Sequence, residues 1–570
     1  MKKHLLLLSF LLGSLIAQAA PRSLSEMMEA AKGVIKTPSA TTRGGSARME
    51  VLQQGRQFTV VGYAKGGFAV IANDDRFNAV LGYSDTEFST GDMPPGLRWW
   101  MNAADEALRH SLASGAAVYT GAELRDAEYP EAVGELLKTK WDQAEPYNRR
   151  LVELSGKDLL TGCVATAMAQ LMKYYNYPER GTGYKGYDIG GKHVNVIFGQ
   201  KPYQWELMRD VYSRSGYTDE EAGAVAELMF HCGVSVDMDY SEDASGAMSY
   251  NAAIAMKDVF TYDTRFMQRD IYTTSEWMDI IYAELAAGRP ILYGGVTPQM
   301  AGHAFVFDGY DAEGLVHVNW GWSGSGNGYF DVAILNSGQG NFSEQQDMIL
   351  ARVPGEPPLP TNSQWGIMSK LTWYTSTGQT YDTEGSFTVS LNANGLAYTA
   401  SNLMNCDAYP FSGEIALLAR PEDGGSLQKL GGTTVKNIAH YSLINNSSPD
   451  YSGTADISAL PDGVYRVYLA SKATAETEWQ PVRSNETVVN NYLLTVSGGA
   501  ATVAEGDPGW TTGIENVGAS AANGDGMVRV YTADGVLVFS SKADAFSLDD
   551  VPAHGILIVK RGAETVKVVK

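Results

Sequence analysis

Apolar residues recur at the spacing of one helix face along residues 163–175: Val164, Ala167, Met168, Leu171, Met172 and Tyr175. The pattern predicts a helix that opens at Cys163, directly after Gly162, and stops at Asn176-Tyr177-Pro178. Upstream, Phe58-Thr59-Val60-Val61 and Phe68-Ala69-Val70-Ile71 flank Lys65-Gly66-Gly67, a hairpin signal. A loop at Asn73-Asp74 leads to a short strand at 79–83. Residues 96–112 then read as a helix, with Trp99, Trp100, Ala103, Ala107 and Leu108 available for one face. Beyond residue 126 the pattern predicts helices over 220–231 and 276–287 and strands at 291–295, 303–310 and 315–320. Helices first and strands later describe an α+β domain of two lobes.

Gly355-Glu356-Pro357-Pro358-Leu359-Pro360 is a linker by composition. After it, short alternating runs such as 386–391, 413–418 and 464–469 are separated by Asn, Gly and Asp turns, which suggests an antiparallel sandwich up to about residue 500. Residues 506–523 form a second linker. The last stretch holds a hairpin over 527–539 with an Asp534-Gly535 turn, and two more strands at 555–560 and 565–570. No solenoid-type repeat is present.

Composition narrows the picture. At 570 residues the chain is too long for one core. A formal net charge of −22 repels a phosphate backbone, so a nucleic-acid partner is not expected. Lys2-Lys3-His4, the apolar run Leu5 to Ile16 and Ala17-Gln18-Ala19 have the order of a cleavable signal peptide, expected at 1–19, and no later run is long enough to span a bilayer. Exported proteins usually pair their cysteines, yet Cys163, Cys232 and Cys406 are odd in number, so at least one thiol stays free within the chain.

Cys163 is the candidate nucleophile. A cysteine at a helix start meets unpaired backbone N–H groups and the positive end of the dipole, which lowers a thiol's pKa. Read alone, it is better taken as a small buried residue capping a core helix, so its partners decide. A thiol needs a base, usually histidine. His4, His110, His440 and His554 lie outside the central segment. His231 reads as a packing residue, and His193 sits in a polar loop with no obvious partner. His303 follows Gly302 and starts the strand Ala304-Phe305-Val306-Phe307-Asp308, while the returning strand carries His317, Asn319 and Trp320. Cysteine, histidine and asparagine are one variant of the catalytic triad. If the hairpin closes on Asp311 opposite Gly314, Trp320 shares a face with His303 and Asn319 takes the other; a one-residue shift or bulge reverses this. Gln143 could supply a side-chain amide to the oxyanion. No CxxC, HxxxH or EF-hand loop is present, so neither metal nor cofactor is expected.

Together these segments resemble the streptopain family of secreted bacterial cysteine peptidases, papain-like in fold. The resemblance is carried by Thr161-Gly162-Cys163-Val164-Ala165-Thr166-Ala167, Met172 to Pro178, Gly233 to Tyr240, Gly302-His303-Ala304-Phe305-Val306 and His317-Val318-Asn319-Trp320-Gly321-Trp322. It implies Cys163 as nucleophile, His303 as base, Gln143 as oxyanion donor, and Asn319 and Trp320 as the active-site pair, with Trp320 also at the substrate. It further implies protein substrates with a hydrophobic residue second before the scissile bond, and an inhibitory propeptide ahead of the peptidase. The segment Glu242-Asp243-Ala244-Ser245-Gly246 departs from the family's glycine/serine-rich loop beside the cleft. The last module resembles the type IX secretion sorting domain.

The expected architecture is therefore a papain-like two-lobed α+β domain (128–354), preceded by an α+β propeptide (20–127) and followed by an Ig-like β-sandwich (361–500) and a sorting domain (524–570). The expected function is a secreted or cell-surface zymogen of a cysteine endopeptidase. Its expected partners are protein substrates, its own propeptide, the secretion machinery, and a host protein or glycan at the sandwich. Two alternatives stand beside it: an adhesin or haemagglutinin whose sandwich does the work and whose papain-like domain is idle or auxiliary, and, with the same residues as the peptidase, acyl transfer to an amine in place of water.

Overall fold

The computed structural model of the chain describes residues 21–38, 48–115, 120–126, 128–213, 216–296, 302–336, 344–374, 380–381, 386–391, 396–423, 425–445, 448–511, 527–532, 537–542, 556–561 and 564–569. The expected signal peptide and the Asp534-Gly535 turn lie outside them. The chain forms two compact units, 1–88 and 89–570.

In the first unit the helix Leu24–Val34 starts at a reciprocal cap, in which Ser23 and Glu26 each satisfy the other's backbone N–H. Its apolar face meets strands Met49–Gln54, Phe58–Tyr63, Phe68–Ala72 and Val80–Ser84, which pair antiparallel in sequence order. Met27, Ala31, Ile35, Val61, Ala69 and Ile71 form the core. The predicted hairpin is present, with Gly62 opposite Phe68.

The second unit is organised by a sheet with strand order Gly328–Phe330, Val316–Asn319, Gly302–Tyr310, Ile291–Val296, Glu344–Arg352, Asp263–Gln268. The Cys163 helix spans Cys163–Tyr175, as its periodicity predicts, and buries Val164, Ala167, Met168, Leu171 and Met172. These side chains meet Leu292, Ala304, Val306, Ile349 and Ala351 of the sheet. On the sheet's other face lies the helix Pro95–Ser114, predicted over 96–112. Its Trp99 indole lies 5.7 Å from the Phe305 ring, and its Trp100 indole N–H donates to the Asp331 carbonyl at 2.9 Å.

Three elements differ from the sequence reading. The helix predicted over 220–231 runs from Asp219 to Ser235, because Thr218 and Glu221 cap its start and buried Gly233 and Val234 carry it past His231. Residues 249–258, to which the sequence pattern assigns no element, form the helix Ser249–Asp258. The polar segment around His193 is a hairpin, Tyr184–Ile189 with Lys192–Ile197, in which Asp188 pairs with His193 at 2.7 Å.

The C-terminal region is all-β. Strands Thr372–Tyr374, Leu396–Ser401 and Asp450–Ala455 form one sheet, and a second is ordered Ser386–Ser390, Ala500–Glu505, Asn491–Ser497, Gly463–Ala473, Phe411–Pro421, Gln428–Ile438. Trp365, Trp373, Tyr398, Leu417 and Tyr492 fill the core between them. Arg483 ties this region to the sheet-bearing part, donating to Glu276 at 2.8 Å and lying 4.2 Å over the Tyr272 ring. The final strands, Met527–Thr532, Leu537–Lys542, Ile556–Arg561 and Glu564–Val569, make a separate four-stranded sheet. No helix among the described residues is long and apolar enough to cross a membrane.

Candidate active site

Gly162 sets the position of Cys163. Its φ is +87°, a conformation L side chains rarely adopt, and a Cβ there would meet Met238 Sδ at 2.5 Å. The chain can therefore turn sharply into the helix and present Cys163 as its first residue. All three cysteines are free thiols, with Cys232 and Cys406 fully buried in apolar surroundings.

Three backbone N–H groups favour the Cys163 thiolate: that of Ala304, that of Val164 and its own. The expected lowering of its pKa is nevertheless not observed. Burial is the larger effect and pushes the Cys163 thiol above its ordinary value. The helix terminus acts in the expected direction and is outweighed.

His303 belongs to the same strand as Ala304 but lies on its other face. His303 pairs with Gly295, and a Cβ on Gly295 would fall 2.3 Å from the Trp99 indole. Strand alternation therefore puts His303 on the face that Trp99 covers, and Ala304 on the face of Cys163. Among the described residues no hydrogen bond or ion pair involves the His303 imidazole, and burial holds it below the usual histidine value. Both shifts disfavour a thiolate–imidazolium pair, so the two groups are held neutral.

The hairpin register decides the placement of Asn319 and Trp320. The turn closes one residue later than the simple expectation, with the Asp311 N–H donating to Leu315. A bulge between His317 and Val318 then compensates, so Asn319 pairs with Val306. Asn319 thus faces the Cys163 helix: its Nδ2 donates to the Thr139 carbonyl at 2.8 Å and its Oδ1 accepts from Gln170 Nε2 at 3.2 Å. Trp320 packs on Phe305, 4.8 Å between rings, on the face of His303. Neither Asn319 nor Trp320 is bonded to the imidazole in this state. Gln143 is buried, and its carbonyl accepts from the Thr161 N–H at 3.0 Å, which holds it beside the turn into Cys163.

The remaining histidines divide as packing and structure. His231 is buried, and its Nδ1 meets the Tyr203 hydroxyl at 2.8 Å. His317, given no role by the sequence, is buried against Asp308 at 2.6 Å. Burial opposes its charge, but the Asp308 carboxylate outweighs it and raises the His317 pKa. A histidine one strand away from an inward aspartate would have been the signal for this pair.

The profile of the Peptidase C10 family matches residues 141–330, and that of the Spi protease inhibitor matches residues 19–108. The thiol protease/hemagglutinin PrtT of Porphyromonas gingivalis is 31% identical over 395 residues, covering 62% of this chain and 45% of that protein. Streptopain of Streptococcus pyogenes is 29% identical over 330 residues, covering 53% of this chain and 81% of streptopain. Among solved structures, a prointerpain A fragment from Prevotella intermedia is 40% identical, covering 55% of this chain and all of the fragment, with a TM-score of 0.49. Active interpain A cysteine protease from the same organism is 43% identical, covering 39% of this chain and 96% of that one, with a TM-score of 0.36. The kinship is carried by the two profiles and by the identity with the Porphyromonas protein and streptopain. This chain thus spans less than half of the Porphyromonas protein but belongs, with streptopain, to the Peptidase C10 family of cysteine peptidases, and it carries a Spi inhibitor segment ahead of the peptidase.

Proposed function

We propose that this chain is the latent form of a secreted cysteine endopeptidase in which Cys163 is the nucleophile and His303 the base. The observation that carries the reading is the Ala304 N–H directed at the Cys163 sulfur. It brings the strand bearing His303 to the thiol, one residue from the geometry a thiolate–imidazole pair requires. In the active state the imidazole takes the thiol proton, and the thiolate attacks the scissile carbonyl. The Cys163 N–H and the Gln143 side-chain amide receive the oxyanion. The imidazolium gives its proton to the leaving amine, and water then attacks the thioester, releasing the acid and restoring the thiol. Asn319 or Trp320 orients or shields the imidazole once it has crossed to the cleft face.

Latency is supported by the helix Pro95–Ser114, which holds the His303 strand from the far face through Trp99. Cleavage of the chain near residues 126–130 would free it. The leader and the C-terminal four-stranded sheet support export, with the terminal module addressing a type IX route. The test is casein hydrolysis by the processed protein before and after Cys163→Ala, with product masses read to separate water from amine as acceptor. Loss of hydrolysis in the variant, and in wild type after alkylation, is expected. Proteolysis that survives alkylation of Cys163 would overturn the reading.

A further inference from the structure

The sheet beneath Cys163 carries two buried acceptors with no donor. On one rung, four strands place Ala304, Gly294, Asp347 and Gln268 side by side, each pair in register. Paired residues of antiparallel strands point to the same face, and here that face is the one of Cys163. The two residues nearest the thiol are small, and Asp347 leans over the nearer strand: a Cβ on Gly294 would lie 2.7 Å from Asp347 Oδ1. The carboxyl is thus about one strand spacing, roughly 5 Å, from Ala304.

Asp347 is 8% exposed and Gln268 4% exposed. The other Asp347 oxygen accepts from the Ser249 hydroxyl at the start of the helix Ser249–Asp258. Asp347 Oδ1 and Gln268 Oε1 have no hydrogen-bond partner among the described residues. A buried acceptor left without a donor costs about 1–3 kcal/mol, so two adjacent ones mark a place where a donor is missing. A peptide lying across Cys163 would bring one.

We propose that Asp347, with Gln268 beside it, forms the floor of the substrate pocket next to Cys163 and selects a lysine or arginine side chain of the peptide. The proposal rests on the peptidase reading and adds a substrate class to it. Lysine supplies three N–H donors and arginine five on a positive group, which the Asp347 carboxylate and the Gln268 Oε1 on the next strand would accept. The carboxyl is buried and the thiol only partly exposed here, so opening the cleft would expose both further.

The choice is pH-dependent. Burial raises the Asp347 carboxyl to about 7, with the Ser249 hydrogen bond pulling the other way. No cation pairs with it among the described residues. Tyr293, on the strand of Gly294, is the titratable neighbour whose charge couples to it. Arg269, just past Gln268, is turned to the Tyr272 carbonyl and Thr274. Arg265, on the strand of Gln268, goes to the Pro360 and Asn362 carbonyls. Of the groups on the helix above, Tyr250 stacks on His440, 4.1 Å between rings, and His440 also meets Phe266 at 5.1 Å. Cys163 completes the set on this face, His303 lying on the other. Below pH 7 the pocket is neutral and takes an apolar side chain; above it the pocket is anionic and takes a cation.

The test uses full-length protein allowed to process itself, and peptides carrying leucine or lysine at one position at a time, from three before to two after the scissile bond. At one position the lysine-to-leucine ratio of kcat/KM rises about tenfold from pH 6 to pH 8, the change in ionised fraction of a group near pH 7. Thiol and imidazole titration cancels in the ratio. In Asp347→Asn the rise disappears. In Ser249→Ala, which keeps the carboxyl and removes its donor, the midpoint moves to higher pH, and this variant serves if the first does not fold. A ratio flat with pH at every position, or a rise that persists in Asp347→Asn, overturns the proposal and leaves the peptidase reading standing. A processed chain that alkylates at Cys163 and cleaves no peptide overturns both.

Discussion

Trp99→Ala should unlock the latent enzyme. Trp99 is 3% exposed, donates its indole N–H to the Val296 carbonyl at 3.3 Å, and fills the space over Gly295 opposite His303. It pins the strand pair from the far face, while Ala304 covers the Cys163 sulfur from the near one. Truncating a buried tryptophan to alanine costs about 3–5 kcal/mol. Those contacts exist only while the helix Pro95–Ser114 is seated, so the cost falls on the closed state. At about 1.4 kcal/mol per decade, the open population rises by roughly two to three and a half decades. The assay is the rate of iodoacetamide modification of Cys163 in the uncleaved chain, read by peptide mapping. Cys232 and Cys406, both fully buried, serve as internal controls that stay slow. Self-processing should accelerate in step. A variant that melts at lower temperature yet alkylates at the wild-type rate would refute the idea that this helix guards the thiol.

Other expectations follow from buried charge. In the uncleaved chain burial holds the Cys163 thiol high and the His303 imidazole low, so both stay neutral near pH 7. After processing the alkylation midpoint should fall to lower pH, and in His303→Ala it should not fall. Asp331 is buried and its carboxyl is raised to about 7, so it is protonated in the fold. Its stabilising contribution is present below the unfolded value of about 4 and is lost as pH rises to about 7. Unfolding free energy should therefore drop with pH across that window, and Asp331→Asn should remove roughly 2–3 kcal/mol of the drop between pH 5 and 7.5, measured by denaturant melts. Glu284, 1% exposed, bonds Arg352 at 2.6 Å and Arg289 at 2.9 Å, tying its helix to the strand Glu344–Arg352. Glu284→Ala leaves the buried Arg352 guanidinium unpaired and should cost about 3–5 kcal/mol in the same melts.

What the sequence could and could not disclose divides along local and non-local contacts. The Cys163 helix was legible because its own spacing, its leading Gly162 and its closing Asn-Tyr-Pro all lie within 17 residues. The Asn319 face was legible only conditionally: the simple register gives the face found here, but through two irregularities that cancel. The turn closes a residue later than expected, and the bulge after His317 takes the extra residue back. Asp347 was invisible for the same reason in stronger form. In Gln346-Asp347-Met348-Ile349 it reads as an ordinary polar start to a strand. Only the sheet order, which inserts that strand between Ile291–Val296 and Asp263–Gln268, sets it beside Gly294 and near Cys163. On the proposed reading latency belongs to this second class. The motifs around Cys163 and His303 are the same in a resting and a working peptidase, whereas the placement of His303 on the face of Trp99 and of Ala304 on that of Cys163 is set by the pairing with Gly295 and Gly294. Chemistry at the sulfur, and not the presence of the motif, therefore separates a zymogen from an idle domain.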